Sequence, residues 1–295
     1  MKRRDEMTPV ASDRIFFQRP DPTELRADGY TLVDMHVHTR HSDAAPGIPA
    51  ILNYICQKGI GVAITDHNEI SGVMEAEASH PESLIIPGIE LDSAEGPHIL
   101  IYFYESGQLA DFFRLHISDH RSGKQYMERY LSVDEILTAA DGYSCIKIAA
   151  HPYGYFGLNR GVLKCMEQKV IPDITGRIDG IEVICGGMSV RLNKRAARYA
   201  DGHTIPITGG SDAHILTDIG NVVTAVKADT VEEFLNGILR RESRVIGTPS
   251  GFVSRGTTAG VIAYSFLPYS CTFAQSRYRR YSTHLKGAIN RFRYK

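Results

Sequence analysis

The sequence lacks the features that mark membrane, secreted and thiolate-metal proteins. None of its apolar runs reaches about 18 residues, the length that a membrane span needs. The five cysteines stand singly, without a C-x-x-C pair, which argues against a disulfide framework and against a thiolate zinc site. No apolar segment follows the basic start Lys2-Arg3-Arg4, which argues against a secretory signal. These absences predict a reduced, cytoplasmic protein.

Acidic residues are missing from the last part of the chain. No Asp or Glu follows Glu242, whereas nine Lys or Arg do, so the first 242 residues carry a net charge of −10 against −1 for the whole chain. An acidic body is typical of a protein rich in metal-binding carboxylates, and the basic tail indicates a separate role. In residues 276–295 basic and aromatic side chains mix, which suits nucleic acid or an anionic membrane surface, although a docked or solvated terminal helix is the more common outcome.

Length and composition predict an ordinary globular protein. The 295 residues, 43% of them hydrophobic and 23% charged, are enough to bury a core without disulfides. We expect an N-terminal arm over residues 1–30, a central domain over 31–250 and a basic C-terminal extension over 251–295.

Strand-like and helix-like segments alternate through the central domain. Apolar runs predict strands over 31–37, 61–65, 83–91, 98–104, 145–150, 180–184, 205–209 and 221–226. Helical patterns cover 48–58, 133–140, 190–199 and 231–240, the last with Thr230 as its N-cap and Glu233 three residues on. This alternation implies parallel pairing, and therefore either an α/β barrel or a doubly wound sheet.

Polar residues at the strand ends favour the barrel. The ends of the predicted strands carry His36 and His38, Asp66 and His67, Glu90, His151, and Asp212 with His214. In a barrel the carboxyl ends of the strands meet on one face and build one site, whereas an open sheet would spread them along an edge.

The spacing of these residues suits metal ions. In the pairs His36–His38 and Asp212–His214, residues i and i+2 of an extended segment project to the same side and can bind one ion. Glu90 is a carboxylate able to bridge two ions. Imidazole and carboxylate ligands without thiolate suit Zn²⁺, Mn²⁺ or Fe²⁺. The candidate metal ligands are His36, His38, Asp43, His67, Glu90, His98, His151, Asp212 and His214.

The ordered set resembles the polymerase-and-histidinol-phosphatase (PHP) superfamily. Its four motifs read here as Asp34-Met35-His36-Val37-His38-Thr39, Thr65-Asp66-His67-Asn68, Ala150-His151-Pro152 and Gly210-Ser211-Asp212-Ala213-His214. Glu90 and His98 stand where that family has two further ligands, and the resemblance covers roughly residues 31–250. It implies that this region is a metal-dependent phosphoesterase domain with a distorted (βα)₇ barrel and a trinuclear site at the C-terminal ends of the strands.

The resemblance also implies how the ligands divide among the ions. His36, His38, Glu90 and Asp212 would hold the first ion, and Glu90 would bridge to a second ion bound by His98 and His151. Asp43, His67 and His214 would hold the third ion. Aspartate at position 43, where some members have histidine, is similar to the branch of small phosphatases that act on nucleotides and related phosphoesters.

The expected activity is hydrolysis of a phosphomonoester of a small molecule, such as a nucleotide or nucleoside bisphosphate, by attack of a metal-bound hydroxide on phosphorus. Glu90, Asp212 and His214 are the candidate catalytic residues. Arg160 and Arg191 are the candidate substrate-binding residues, because each follows a strand end and phosphate favours guanidinium partners. Asp34, Asp66 and His41 are candidates for supporting roles next to the ligands.

Two other functions remain open. A 5′→3′ exonuclease would act on short oligonucleotides and hold the strand with the basic tail. A metal-binding regulatory domain without activity is the other alternative, although no ligand position is empty. The oligomeric state cannot be deduced from the sequence.

Overall fold

The computed structural model describes residues 13–79, 83–118, 131–155 and 158–267 of the protein. The first twelve residues of the predicted arm and the basic segment 276–295 lie outside the described residues. No helix within the described ranges is long and apolar enough to cross a membrane. The cytoplasmic location and the three domain boundaries stay predictions.

Strands and helices alternate through the described chain. The strands are β1 (Ile15–Phe16), β2 (Thr31–Val37), β3 (Gly61–Ile64), β4 (Ile85–Asp92), β5 (His98–Phe103), β6 (Cys145–Ala149), β7 (Gly180–Cys185), β8 (Ile207–Gly210), β9 (Val222–Val226) and β10 (Arg244–Gly247). The helices are α1 (Pro22–Ala27), α2 (Ile48–Lys58), α3 (Ser71–Ser79), α4 (Ser106–Phe112), α5 (Val133–Ala140), α6 (Val162–Glu167), α7 (Val190–His203), α8 (Val231–Leu239) and α9 (Phe252–Ser265). The eight predicted strands and four predicted helices are all present, with ends that shift by up to four residues.

The strands form one curled sheet in the order β1-β10-β9-β2-β3-β4-β5-β6-β7-β8. The sheet curls until the segment after β8 reaches β2, where the Asp212 amide donates to the His36 carbonyl at 2.8 Å and the His38 amide to the Ala213 carbonyl at 3.1 Å. The fold is therefore a barrel-like α/β sheet, as predicted, and the seven βα units stay a prediction.

The expectation of parallel pairing throughout is wrong. β5 runs antiparallel to both β4 and β6, and β9 runs antiparallel to both β2 and β10. The link between β4 and β5 is only residues 93–97, too short for a crossover, so the two strands form a hairpin. Because β5 is reversed, its first residue, His98, lies opposite Asp92 at the edge where the neighbouring parallel strands end.

β1 and β10 are absent from the predicted set. β1 has two residues and β10 has four, which is too short for a side-chain alternation to show in the sequence. The start of α8 is as predicted, since the Thr230 side chain accepts from the Glu233 amide at 3.1 Å.

The two faces of the sheet carry different cores. A large apolar cluster packs between the sheet and most of the helices, and a smaller one, with Met35, Tyr102 and Ile148, fills the other face against α8. Glu90 and His98 share the alternation of the smaller core, since Ile86 on β4 and Leu100 on β5 belong to it. The predicted ligands on these strands therefore project to the inside of the curl.

β2 contains an irregularity that aims two histidines. Its register with β3 shifts between Asp34 and Val37. Met35 belongs to the smaller core and Val37 to the larger one, so His36 and His38 both point to the inner side. Bulges commonly re-aim side chains next to active sites.

Glycine is required where β8 approaches β2. A Cβ on Gly210 would lie 2.3 Å from the Cβ of His36, closer than any real contact. The absence of a side chain at this position lets the segment that carries Asp212 come against the strand that carries His36.

Asp34 joins β2 to the segments around β8 and β9. Its buried carboxylate accepts from the Ser211 amide at 2.8 Å, the Ser211 hydroxyl at 2.6 Å and the Gly220 amide at 2.7 Å. Burial raises the pKa of this carboxyl to about 6, although the hydrogen bonds act in the opposite direction.

We expect Asp34→Ala to lower the free energy of unfolding by on the order of 3 kcal/mol, because it leaves several buried donors without an acceptor. The measurement is urea unfolding of the metal-free protein at pH 8, where Asp34 is ionised. Asp229→Ala, at an exposed position between β9 and α8, is the control and should change stability by less than about 0.5 kcal/mol. Equal losses of stability in the two variants would contradict the role of Asp34 in joining β2 to the segments around β8 and β9.

Candidate metal centre

Glu90 lies at the centre of a buried group of imidazoles. Its Oε1 atom is 2.9 Å from Nδ1 of His98 and 2.9 Å from Nε2 of His151. Its Oε2 atom is 3.1 Å from Nδ1 of His67 and 3.3 Å from Nε2 of both His36 and His38. One carboxylate therefore contacts five of the six predicted histidine ligands.

Asp212 and Asp43 complete the cluster on its other side. Asp212 Oδ1 is 3.2 Å from Nε2 of His38 and 3.6 Å from Nε2 of His36. Asp43 Oδ1 is 3.2 Å from Nε2 of His214, and its Oδ2 is 3.7 Å from Nε2 of His67. The structure thus brings together all nine residues that the sequence nominates as metal ligands.

The cluster divides into overlapping sets that could each hold an ion. Within each set the ligand atoms lie within 4.8 Å of one another. The sets are His38 with Asp43, His67 and His214; His36 with His38 and Asp212; His67 with Asp92 and His98; and Glu90 with His98 and His151. The last set is the one that the resemblance implies for the second ion, whereas the first set adds His38 to the implied group and the second set lacks Glu90. The division of the ligands and the number of ions stay predictions.

Buried atoms without hydrogen bonds show that the cluster fits metal ions. Of the seven such atoms in the described part of the chain, five belong to the cluster: His38 Nδ1, Glu90 Oε2, His98 Nε2, His151 Nδ1 and His214 Nε2. Leaving buried polar atoms unsatisfied is costly, and native proteins rarely do so without a reason such as a bound ion. The donor set, imidazole nitrogen and carboxylate oxygen, is the one that Zn²⁺, Mn²⁺ and Fe²⁺ accept.

The loop that carries Asp43 is held by Asp66. The Asp66 carboxylate accepts from the Thr39 amide and hydroxyl, both at 2.7 Å, and from the Ser42 hydroxyl at 2.5 Å. Asp66 therefore has a supporting role, but it acts on the loop rather than on a histidine. The Nε2 atom of His41 pairs with Glu75 on α3 at 2.7 Å, and a supporting role of His41 at the site stays a prediction.

Three residues of the site adopt left-handed backbone conformations. The φ angles are 47° at Asn68, 25° at His151 and 53° at Asp212. Such conformations are uncommon outside glycine and cluster at functional sites, where the surrounding structure holds them. They turn the chain sharply just after β3, β6 and β8, at the mouth of the curl.

Asp92 belongs to the cluster, and sequence reasoning missed it. Its Oδ1 atom is 2.8 Å from Nδ1 of His67 and 3.5 Å from Nε2 of His98. The signal that could have found it is its position two residues after Glu90, because residues i and i+2 of a strand share a face.

Glu182 is a second residue that sequence reasoning missed. Its Oε1 atom is 3.1 Å from Nδ1 of His36, and its Oε2 atom accepts from the His151 amide at 2.7 Å. This contact leaves Nε2 of His36 facing Glu90, an arrangement typical of carboxylates that orient metal-binding histidines. A lone acidic residue inside the apolar strand 180–185 is the signal in the sequence.

The charges of the cluster shift its pKa values in opposite directions. Burial alone would lower the pKa of His67, but Asp92 and Glu90 outweigh it and raise that pKa to about 9. Asp43 likewise raises the pKa of His214 to about 9 against the effect of burial. Burial acts against ionisation of Glu90, yet the surrounding histidines hold its pKa well below the usual range. Without metal, His67 and His214 are therefore protonated at neutral pH beside ionised carboxylates, whereas burial lowers the pKa of His98 to about 4 and leaves that imidazole neutral.

The cluster opens into a cavity of about 640 Å³. Among the lining residues, His67, Glu90, His151, Asp212 and His214 come from the cluster, Arg160 from the loop after β6, and Arg255, Ile262 and Phe266 from α9 and the residue after it. Arg160 is thus brought to the site. Arg191 does not line this cavity and is exposed in the first turn of α7.

Comparisons with known proteins agree with the resemblance seen in the motifs. Residues 190–243 match the PHP-associated family model. No curated protein matches the chain.

Solved structures share the fold at low identity. A two-domain protein from Bacteroides vulgatus that contains a predicted PHP-like metal-dependent phosphoesterase is 19% identical, with a TM-score of 0.54 over 81% of this chain and 70% of that one. The lesion-specific endonuclease EndoQ from Pyrococcus furiosus is 19% identical, with a TM-score of 0.59 over 73% of this chain and 57% of that one. An amidohydrolase from Chromobacterium violaceum, with bound sulfate and no metal, is 18% identical, with a TM-score of 0.51 over 72% of this chain and 96% of that one. These likenesses show a shared fold, and the family model covers residues 190–243 of the chain.

Metal binding should release protons and strengthen as pH rises. His38, with a pKa raised to about 8, and His67 and His214, at about 9, are protonated at neutral pH without metal, and a histidine must lose its proton to bind an ion. Between pH 6 and 8 the apparent affinity for Mn²⁺ or Zn²⁺ should therefore increase by about tenfold or more per pH unit. Titration calorimetry in buffers of different ionisation enthalpy measures the released protons. An affinity independent of pH over this range would contradict the protonated cluster.

Replacing Asp92 should weaken metal binding. Asp92→Asn removes the charge that faces His67 and His98, and the loss of such a partner typically costs about 10–100-fold in metal affinity. The measurement is the number of divalent ions per chain after dialysis, by elemental analysis. Asp229→Asn is the matched control because Asp229 is exposed. Full metal content in Asp92→Asn under limiting metal would rule out this role.

Proposed function

We propose that the protein is a metal-dependent phosphomonoesterase that acts on a small molecule such as a nucleotide or nucleoside bisphosphate. The observation that carries the proposal is that the carboxylate–imidazole cluster and Arg160 line the same cavity of about 640 Å³. Cavities of roughly 300–1,000 Å³ are those that hold small ligands in proteins. The cavity therefore suits a compact phosphoester placed against the cluster.

The nine predicted ligands would hold divalent ions, three by analogy with the resemblance, with Mn²⁺, Zn²⁺ or Fe²⁺ as candidates. Once bound, such ions supply a nucleophile at neutral pH and neutralise charge on the phosphoryl oxygens. Cys185 lies 3.7 Å from Asp212, and burial raises the pKa of its thiol well above the usual range, so without metal it is a neutral neighbour of the cluster.

The chain's own residues position the reaction. The Glu90 carboxylate lies between two sets of imidazoles, with its Oε2 atom facing His36 and its Oε1 atom facing His98. It therefore joins the two sets. Asp212, which accepts from the Tyr155 hydroxyl, and His214 hold the side of the cluster that borders the cavity. Arg160 borders the same space, and a guanidinium there can bind two phosphoryl oxygens at once.

Hydrolysis of oligonucleotides is the alternative, favoured by the basic tail and by the shared fold of the EndoQ endonuclease. Deletion of residues 276–295 separates the two functions. An exonuclease that holds the strand with its tail would lose its salt-sensitive affinity for single strands, whereas turnover of a small phosphomonoester would not depend on the tail.

We expect the Mn²⁺-loaded protein to hydrolyse at least one member of a panel of nucleoside monophosphates, nucleoside bisphosphates, histidinol phosphate and short oligonucleotides. Glu90→Ala should lower kcat by at least about 10³-fold, because it removes the carboxylate shared by two sets of ligands. The assays are release of inorganic phosphate from the small molecules and release of nucleotides from the oligonucleotides, together with metal analysis and circular dichroism of each variant.

Glu232→Ala, an exposed glutamate in the first turn of α8, is the control and should keep full activity. A folded Glu90→Ala protein with undiminished turnover would refute the central role of Glu90. A fully metal-loaded native protein that releases phosphate from none of the small molecules would refute the proposed function.

A further inference from the structure

The helix α9 presents one face to the cavity. The cavity-lining residues of α9 and its last turn are Arg255, Thr258, Ala259, Ile262, Ala263 and Phe266. Their spacing of three and four places them on one side of the helix. No residue of α9 is buried, so this face borders open space rather than the hydrophobic core.

The start of α9 is tied to the segments that follow β7 and β8. The hydroxyls of Ser250 and Ser254 both donate to the Asp218 carboxylate, the first at 3.1 Å. The Ser250 amide donates to the Gly186 carbonyl at 2.9 Å. These contacts fix the first turn of α9 beside the cluster and use the charge of Asp218 for anchoring.

Arg255 reaches from this first turn into the cavity wall. Its Nη2 atom donates to the Met188 carbonyl at 2.8 Å, which holds the side chain between α9 and the loop before α7. Its Nε atom is buried and has no hydrogen-bond partner among the described residues. A partly buried guanidinium with an unpartnered buried donor favours an anion.

A second guanidinium borders the same space. Arg160 comes from the loop after β6, far from α9 in sequence, and lines the same cavity. The cavity therefore has cationic walls contributed by two distant segments, with the candidate metal cluster as a third wall.

We propose that Arg255 binds an anionic oxygen of the substrate, which makes α9 part of the substrate site. The ligand class is a phosphate group, for which guanidinium offers paired donors. The inference rests on the proposed function but concerns a residue outside the resemblance, which ends near residue 250. If Arg255 only anchored α9 to Met188, loosening α9 by another route would have the same effect.

The test is binding of inorganic phosphate to the Mn²⁺-loaded full chain, measured by calorimetry and as competitive inhibition. Arg255→Ala should raise the Kd for phosphate by about tenfold or more, the usual loss for a charge-assisted hydrogen bond. Arg255→Gln keeps a donor for the Met188 carbonyl without the charge and should match the alanine variant, whereas Arg255→Lys should recover part of the affinity. Ser254→Ala, which loosens the anchor on Asp218, should change the Kd by less than about threefold.

Each result of these measurements either supports or overturns the role of Arg255 in anion binding. Unchanged phosphate binding in Arg255→Ala and Arg255→Gln would overturn the inference, as would an equal loss in Ser254→Ala. If Arg255→Ala does not fold, Arg255→Gln and Arg255→Lys carry the same comparison. Loss of phosphate affinity in Arg255→Gln, with no turnover of any phosphomonoester by the native chain, would uphold the anion site while refuting the proposed function.

Discussion

The close approach of Glu90 to five imidazoles is the constraint on which the rest of the site depends. An ionised carboxylate that is fully buried needs opposite charge around it, from protonated histidines or from metal ions. The curl of the sheet, the shifted register of β2 and the bare backbone at Gly210 all serve to bring the histidines of β2, β5 and the strand-end loops around that carboxylate.

Much of this arrangement could be predicted from the sequence because the ligands follow strand ends in pairs. Two pairs can be recognised by their spacing and by the apolar runs before them: His36 with His38, and Asp212 with His214. The direction of β5 could not be read in the same way, since a five-residue link carries no periodicity. The reversed β5 nevertheless places His98 at the edge where the neighbouring parallel strands end. The wrong prediction of the pairing direction therefore left the predicted position of the site unchanged.

Sequence reasoning missed Asp92 and Glu182 for the same physical reason. Asp92 lies two residues after Glu90, and Glu182 lies inside an apolar strand. In both places the carboxylate has no visible partner in the sequence until the neighbouring strand is known. Arg255 could not be singled out for another reason: no motif surrounds it in the sequence, and only the position of α9 brings it to the cavity. Arg160 shows the opposite case, because its loop follows a ligand directly and its place at the cavity follows from that.

The hairpin of β4 and β5 has a consequence for how the site assembles during folding. Glu90, Asp92 and His98 lie on strands joined by residues 93–97, so the entropy lost in bringing them together is small. Asp34 and Ser211, whose contact closes the sheet, are 177 positions apart and meet only when most of the chain is in place. One part of the cluster therefore depends on local contacts and the other on distant ones, so the hairpin could hold an ion without the contacts that close the sheet.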